Sequence, residues 1–300
     1  MKPARFAYVR PDTVDAAVAC LRAGDGAARA LAGGQSLLPL MNRRLARPSA
    51  LVDLNRVRNL RYLAYDNGVL RIGALTRHAD IEAADDPAIR SGFGVLPESA
   101  RLIGHLPVRT RGTFGGSIAH ADPGSEWCLL AVLLDAEVVV AGVAGTRVIA
   151  AANFFTGAHR TALNWDELVV EVRFPRPAPT AALAEFAVQH GHFPLAAAAA
   201  AVEVDRHGVI VAARIALSGV ADRATRAPSA EAALLGGVLD ASLLDHVRRV
   251  LAEELRPSGD LAADAEYRMD VAAALTGRAL RASVAGHITA RERAYHEVES

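Results

Sequence analysis

Residues 31–48 read LAGGQSLLPLMNRRLARP, and residues 113–117 read TFGGS. In the first stretch, two adjacent glycines separate a short apolar run, ARALA at 28–32, from an apolar segment with helical spacing. The second stretch repeats the device. Glycine admits φ > 0 and lets a ligand approach where a Cβ would clash. Successive N–H groups in such a turn form a concavity that holds anions. A helix starting just beyond adds the partial positive charge of its N-terminus. Gln35 and Ser36 add side-chain donors to the first loop, Thr113 and Ser117 to the second. The plain alternative is a pair of glycine turns that merely redirect the chain; the repetition brings an anion site level with it. A diphosphate, with two charges and many acceptor oxygens, is the natural guest. Neither loop is a familiar nucleotide motif. There is no G-x-x-x-x-G-K-S/T and no G-x-G-x-x-G after the first strand, which disfavours a P-loop or a Rossmann domain.

The chain has 300 residues, enough for one large domain or two to three small ones. Hydrophobic residues make up 52%, so cores are well supplied and disorder is excluded. Lys plus Arg equals Asp plus Glu at 33 each, which gives no support to nucleic-acid or anionic-membrane binding. No apolar run reaches the roughly 18 to 20 residues of a membrane span. The amino terminus, MKPARFAYVRPD, lacks the apolar stretch of a signal peptide, so a cytoplasmic protein is expected. Cys20 and Cys128 are the two cysteines. They make no disulfide framework and fall short of the roughly four thiolates an iron–sulfur cluster commonly takes. His190 and His192 lie near no cysteine and read as surface histidines, so no metal ligand is assigned.

Along the chain, PDTVDAAVACLRAG reads as a helix capped by Asp12 or Thr13 and stopped by Gly24. ARALA and ALVDLNRV read as strands, and SLLPLMNRRLA as a helix with Pro39 in its first turn. Asn67-Gly68 makes YLAYDNGVLRIGA a hairpin with a type I′ turn. A helix capped by Thr76 and another near 96–106 follow, then a helix in SEWCLLAVLLDAEVVVAG passing into a strand near Ala136. ELVVEVRFP is one more strand. The Pro-rich RFPRPAPT, 173–180, marks a domain boundary. Beyond it come strands at LAEFAV, AAAAAVEV and VIVAARIALSGV, then helices near 229–236, 241–255 and 263–283, an α+β arrangement. The alanine run 196–201 is read as a buried strand from its flanks.

The stretches AGGQSLLPLMNRRLARP, GALTRHADIE and TFGGSIAHADPGSEW, with RPSGDLAADAEYRMDVAAALTGRALRAS near the carboxy terminus, resemble the flavoprotein (medium) subunits of molybdenum hydroxylases. That family includes carbon monoxide dehydrogenase and the xanthine dehydrogenase group. The resemblance implies an α+β fold. A vanillyl-alcohol-oxidase-type (PCMH-type) FAD-binding domain would form two lobes, 1–55 and 56–177, followed by a smaller carboxy-terminal α+β domain, 178–290. It implies noncovalent FAD whose diphosphate lies between Leu31, Ala32, Gly33, Gly34, Gln35, Ser36 and Leu37 on one side and Thr113, Phe114, Gly115, Gly116 and Ser117 on the other. Ile103 stands where the family places an apolar residue against the flavin. Asp122 and Glu126 stand where acidic residues bind ribityl or ribose hydroxyls. Leu168 or Val169 falls where strand backbone meets the isoalloxazine edge, with His78 and His120 as weaker candidates.

Two departures from the family pattern are visible. Phe114 replaces a small aliphatic residue and is expected to pack beneath its loop. Val188, Gln189 and His192 replace the arginines and aspartate common in a segment near the flavin. The resemblance further implies a small 2Fe-2S subunit and a large molybdopterin subunit as partners, assembled as a dimer of heterotrimers, a heterohexamer. Electrons would pass from clusters to FAD and on to an external acceptor, with no catalytic side chain on this chain. The rival class is a free-standing FAD-dependent oxidoreductase of the same fold, resembling UDP-N-acetylenolpyruvylglucosamine reductase. A third is a scaffold that has lost FAD, against which Gly33, Gly34, Gly115 and Gly116 argue.

Overall fold

Short apolar runs broken by caps and turns set three successive sheets, each with its own helices. The computed structural model describes residues 2–189 and 191–298, with side chains as far as His287; His190 lies outside the described residues. The first sheet is parallel. Its elements are β1 (Ala7–Val9), α1 (Val14–Ala23), β2 (Ala28–Leu31), α2 (Leu37–Asn42) and β3 (Ala50–Asp53), in strand order β1-β3-β2. Thr13 is the cap of α1: its hydroxyl accepts from the Ala16 N–H, and Val18 and Leu21 face the core. α2 ends earlier than LLPLMNRRLA suggests, because Arg44 takes φ 59 and the N–H groups of Leu45 and Ala46 fold back onto the Leu40 carbonyl.

The second sheet is antiparallel. β4 (Leu63–Asp66) and β5 (Val69–Gly73) form the hairpin, with φ 50 at Asn67 and 82 at Gly68, as a type I′ turn requires. Then come α3 (His78–Glu82), α4 (Pro87–Phe93), α5 (Val95–Ala100), α6 (Leu106–Arg109), α7 (Phe114–His120) and α8 (Glu126–Leu133). β6 (Glu137–Gly142), β7 (Gly145–Ala150), α9 (Ala151–Phe154) and β10 (Leu168–Phe174) complete it, in order β4-β5-β10-β6-β7, while β8 (Phe155–Gly157) and β9 (Arg160–Thr161) pair as a separate two-stranded sheet. Two expectations are corrected here. Thr76 does not cap α3, since its hydroxyl donates to the Tyr62 carbonyl at 2.6 Å; Arg77 holds the cap position and its N–H donates to Asp80 at 3.0 Å. The single helix expected near 96–106 is instead α5 and α6, parted by a turn in which Gly104 takes φ 52, with Pro107 in the first turn of α6.

The third sheet contains β11 (Ala182–Phe186), β12 (Ala196–Val204), β13 (Ile210–Ser218) and β14 (Thr225–Arg226), antiparallel in that order. α10 (Pro228–Leu234), α11 (Ala241–Glu254) and α12 (Ala265–Val298) follow. The alanine run is a strand buried on both faces. Ala197, Ala199 and Ala201 join the core of the second sheet, while Ala196, Ala198 and Ala200 pack with residues of α10, α11 and α12. Methyl-sized side chains let two layers approach one strand closely. The Pro-rich stretch therefore breaks the sequence but not the packing. α8 bridges the two regions: all of its 8 residues are buried, as a helix apolar nearly all round must be. Among the described residues no helix is long and apolar enough to cross a membrane.

Candidate functional site

The first glycine loop leaves the edge of the parallel sheet. After Leu31 the Ala32 carbonyl accepts from Asn55 Nδ2 at 3.0 Å, which anchors the loop to the segment after β3. Gly34 turns the chain with φ 75, a conformation that costs an L-residue about 1–2 kcal/mol. Gln35 folds its amide back onto the Gly33 carbonyl at 3.1 Å, and Ser36 starts α2 without a side-chain cap bond. Leu37 is the half-buried first residue of that helix. Among the described residues, none accepts a hydrogen bond from the backbone N–H of Gly33, Gly34, Gln35 or Ser36.

The second loop is built differently. Phe114 N–H donates to the Thr76 carbonyl at 2.9 Å and Gly115 N–H to the Ala74 carbonyl at 3.0 Å. Thr113, buried, caps α7 by accepting from Gly116 N–H at 3.3 Å, and its carbonyl accepts from Ser117 N–H at 3.1 Å. The Ser117 hydroxyl pairs with that of Ser125 at 2.9 Å. Phe114 packs beneath the loop as expected, its ring 4.9 Å from that of Trp127 and 6.2 Å from that of Phe174. The glycines thus sit in the first turn of α7 rather than ahead of it.

The two loops touch through backbone. A Cβ on Gly33 would lie 2.8 Å from the Gly112 Cα and collide with the Arg111 carbonyl. A Cβ on Gly116 would stand 3.8 Å from that of Ala32. Arg77 ties the contact together: one arm of its guanidinium bonds the Arg111 carbonyl and the other bonds Asn55 Oδ1 at 2.7 Å. Burial, then the charges of Arg111 and Arg61, hold the Arg77 pKa below its ordinary value. A half-buried cation, an exposed second arginine and four N–H groups with no acceptor among the described residues therefore meet beside the first loop. Sequence reasoning missed Arg77 as a strut, because its partners are a distant carbonyl and a distant asparagine.

The remaining candidates lie around this contact. Glu126, 3% exposed at the first turn of α8, has its carboxyl pKa pushed up to about 8 by burial, with Glu185 and Asp122 adding repulsion. Glu185 on β11, not singled out from sequence, is pushed up to about 7 by burial, and its Oε2 is buried with no hydrogen-bond partner among the described residues. Asp122 accepts from Gly124 N–H at 2.9 Å and turns its other oxygen toward His120 and His159. Ile103 is half-buried against the second-sheet core. Leu168 and Val169 are buried at the start of β10 and pair with Ala141 and Val140. On their other side β5 begins pairing only at Glu171, so among the described residues no strand covers that edge of 168–169. His78 is structural: its Nδ1 accepts from Trp127 Nε1 at 3.0 Å, and burial pushes its pKa down to about 4. Val188, Gln189 and His192 are exposed on the segment after β11.

Comparisons with known proteins agree with this architecture. Residues 4–177 match the FAD binding domain in molybdopterin dehydrogenase, and residues 181–283 match the CO dehydrogenase flavoprotein C-terminal domain. The chain is 36% identical to 6-hydroxypseudooxynicotine dehydrogenase complex subunit alpha of Paenarthrobacter nicotinovorans, over 93% of this chain and 95% of that one. It is 35% identical to the carbon monoxide dehydrogenase medium chain of Hydrogenophaga pseudoflava, over 94% of this chain and 98% of that one. Among solved structures, carbon monoxide dehydrogenase from Hydrogenophaga pseudoflava superposes with a TM-score of 0.91 at 36% identity, covering 95% of this chain and 99% of that chain. Quinoline 2-oxidoreductase from Pseudomonas putida 86 gives 0.90 at 37% identity, covering 96% and 100%. The chain accordingly belongs to the FAD-binding flavoprotein subunits of molybdopterin-dependent dehydrogenases, an oxidoreductase component whose cofactor is FAD.

Proposed function

We propose that this chain is the electron-transfer subunit of a heteromeric molybdenum hydroxylase. It takes electrons from 2Fe-2S clusters on a small partner subunit and passes them to an external acceptor, while molybdopterin resides on a large subunit. The assembly is a dimer of heterotrimers in the cytoplasm. The observation that carries the proposal is the first loop: N–H groups of residues 33–36 without acceptors, a left-handed Gly34, and Arg77 and Arg111 beside them. That donor set fits a diphosphate, and residues 31–37 hold it. Residues 113–117 form the floor, with Gly116 keeping the side facing Ala32 clear. Glu126, buried and rich in unused hydrogen-bonding capacity, faces hydroxyl groups of the ribityl chain. Asp122, expected to share that role, fixes the 122–125 turn that presents Glu126. Ile103 flanks the ring system, and the uncovered edge at Leu168 or Val169 meets it. The lobes divide at Asn55, and the carboxy-terminal domain begins at Ala178.

When bound, FAD accepts electrons singly and releases them in pairs, and the protein positions it and tunes its electronics. No residue of this chain needs to move a proton for that. Flavin content tests the first half of the proposal. The purified chain is expected to show a flavin spectrum at one FAD per chain, released to the supernatant on acid precipitation. A colourless protein that refuses added FAD overturns it. Co-expression with a cysteine-rich small subunit and a molybdopterin subunit tests the second half. One co-purifying assembly is expected, in which substrate reduces the flavin; turnover of a hydroxylatable substrate by the isolated chain overturns the subunit role.

A further inference from the structure

A cluster at the far end of α7 is not used by the diphosphate cradle. Ala121 takes a left-handed conformation with φ 50, which brings Asp122 back beside His120. The turn between β8 and β9 delivers His159, also left-handed with φ 53, and pins it there: its N–H donates to the Ala121 carbonyl at 2.9 Å. The two imidazoles face each other with ring centroids 4.7 Å apart. Asp122 Oδ1 is engaged by the Gly124 N–H, leaving Oδ2 aimed at both rings, 3.9 Å from His120 Nε2 and 4.0 Å from His159 Nε2. One ligand atom from each of the three side chains lies within 4.8 Å of the others.

These separations are too long for hydrogen bonds. They exceed by about 0.6–0.7 Å the roughly 3.3 Å between ligand atoms that each sit about 2.0–2.1 Å from a tetrahedral zinc, and the widest ligand spacing stays within 4.8 Å. Rotation of half-exposed side chains closes that difference. Two nitrogens and one carboxylate oxygen suit zinc or a similar transition metal rather than calcium, which takes about six to eight oxygens.

We propose that His120, Asp122 and His159 form a site for one divalent transition-metal ion of the zinc class, with the fourth position open to solvent. The ion would tie the β8–β9 hairpin to the turn between α7 and α8, beside the floor beneath the cofactor.

The test uses the full, tag-free chain, stripped of metal with a chelator and then dialysed. Zinc alone, titrated against a fluorescent chelator, is expected to bind at one equivalent per chain. His159→Ala is expected to weaken that binding at least tenfold, and His120→Gln to do the same, while His207→Ala leaves it unchanged. FAD content and the circular dichroism spectrum, read in parallel, are expected to match wild type in the His159 variant. Zinc binding is expected to persist after FAD is removed, which separates this site from the cofactor assignment. Absence of saturable zinc binding in the wild type, or equal affinity in His159→Ala, overturns the proposal.

Discussion

The two glycine loops look alike in sequence and are opposite in construction. In residues 33–36 the backbone N–H groups have no acceptor among the described residues, while the Gln35 amide folds back onto the Gly33 carbonyl and Asn55 Nδ2 holds the Ala32 carbonyl. In 113–117 each N–H from Phe114 to Ser117 already has a partner within the chain. One loop keeps its donors free and the other spends them on the fold. A doubled glycine therefore signals a constrained backbone, but the constraint differs: a left-handed turn at Gly34, and close approach of the protein's own backbone at Gly115 and Gly33.

The largest effect that separates the two belongs to Gly115. A Cβ there meets the Ala74 Cβ at 2.5 Å and its Cα at 2.7 Å, with no flexible side-chain end to yield. Gly115→Val is expected to destabilise the FAD-free protein by about 3 kcal/mol, the upper range of overpacking, read as a lower urea midpoint. An unchanged midpoint would break the contrast by showing that the second loop has room to spare. At Gly34 the balance is reversed. Gly34→Val strains a φ of 75 at a cost of about 1–2 kcal/mol in stability. On the proposed reading it also disturbs N–H groups that would meet the charged diphosphate, each worth about 1.5–3 kcal/mol. FAD affinity, followed by flavin fluorescence, is expected to fall about a hundredfold while the fold is retained, with Gly34→Ala milder.

How much of this was legible from residues alone follows the range of the interactions. The Asn67-Gly68 hairpin, the Thr13 cap and the buried α8 are local, and their signals lie within a few positions of each other. The strand nature of 196–201 was readable only from its flanks, since alanine favours helices when nothing covers it and here two layers do. Thr76 was misjudged as a cap because its real partner, Tyr62, comes from the hairpin before it. Arg77, Glu185 and His159 carried no sequence signal at all. Each matters through a neighbour brought close by the sheets, and cysteine-based metal patterns say nothing of a site made from two histidines and an aspartate.

A smaller effect sharpens the contrast at the carboxyl pair behind the second loop. Glu126 and Glu185 titrate near 8 and 7 in the fold, against an ordinary value of 4.5. The folded chain thus keeps protons that the unfolded chain releases. The stability this supplies is complete below pH 4.5 and is lost as pH rises through 8. His78, lowered to about 4, acts the other way but only below its ordinary 6.5, so the window above that is clear of it. The FAD-free protein is expected to melt at a lower temperature as pH climbs from about 6.5 to about 8.5, and Glu126→Gln to flatten that slope. Equal slopes in both proteins would show that Glu126 is already solvated.

α8 lies against the second sheet on one side and against the alanine face of β12 on the other. A chain cut at the Pro-rich stretch would strip one cover from this helix and leave a mostly apolar rod facing water. The two family domains are thus separable as sequence but not as folding units. Calorimetry of the intact protein is expected to show a single cooperative event, because the carboxy-terminal sheet supplies one wall of the flavin-binding half's core.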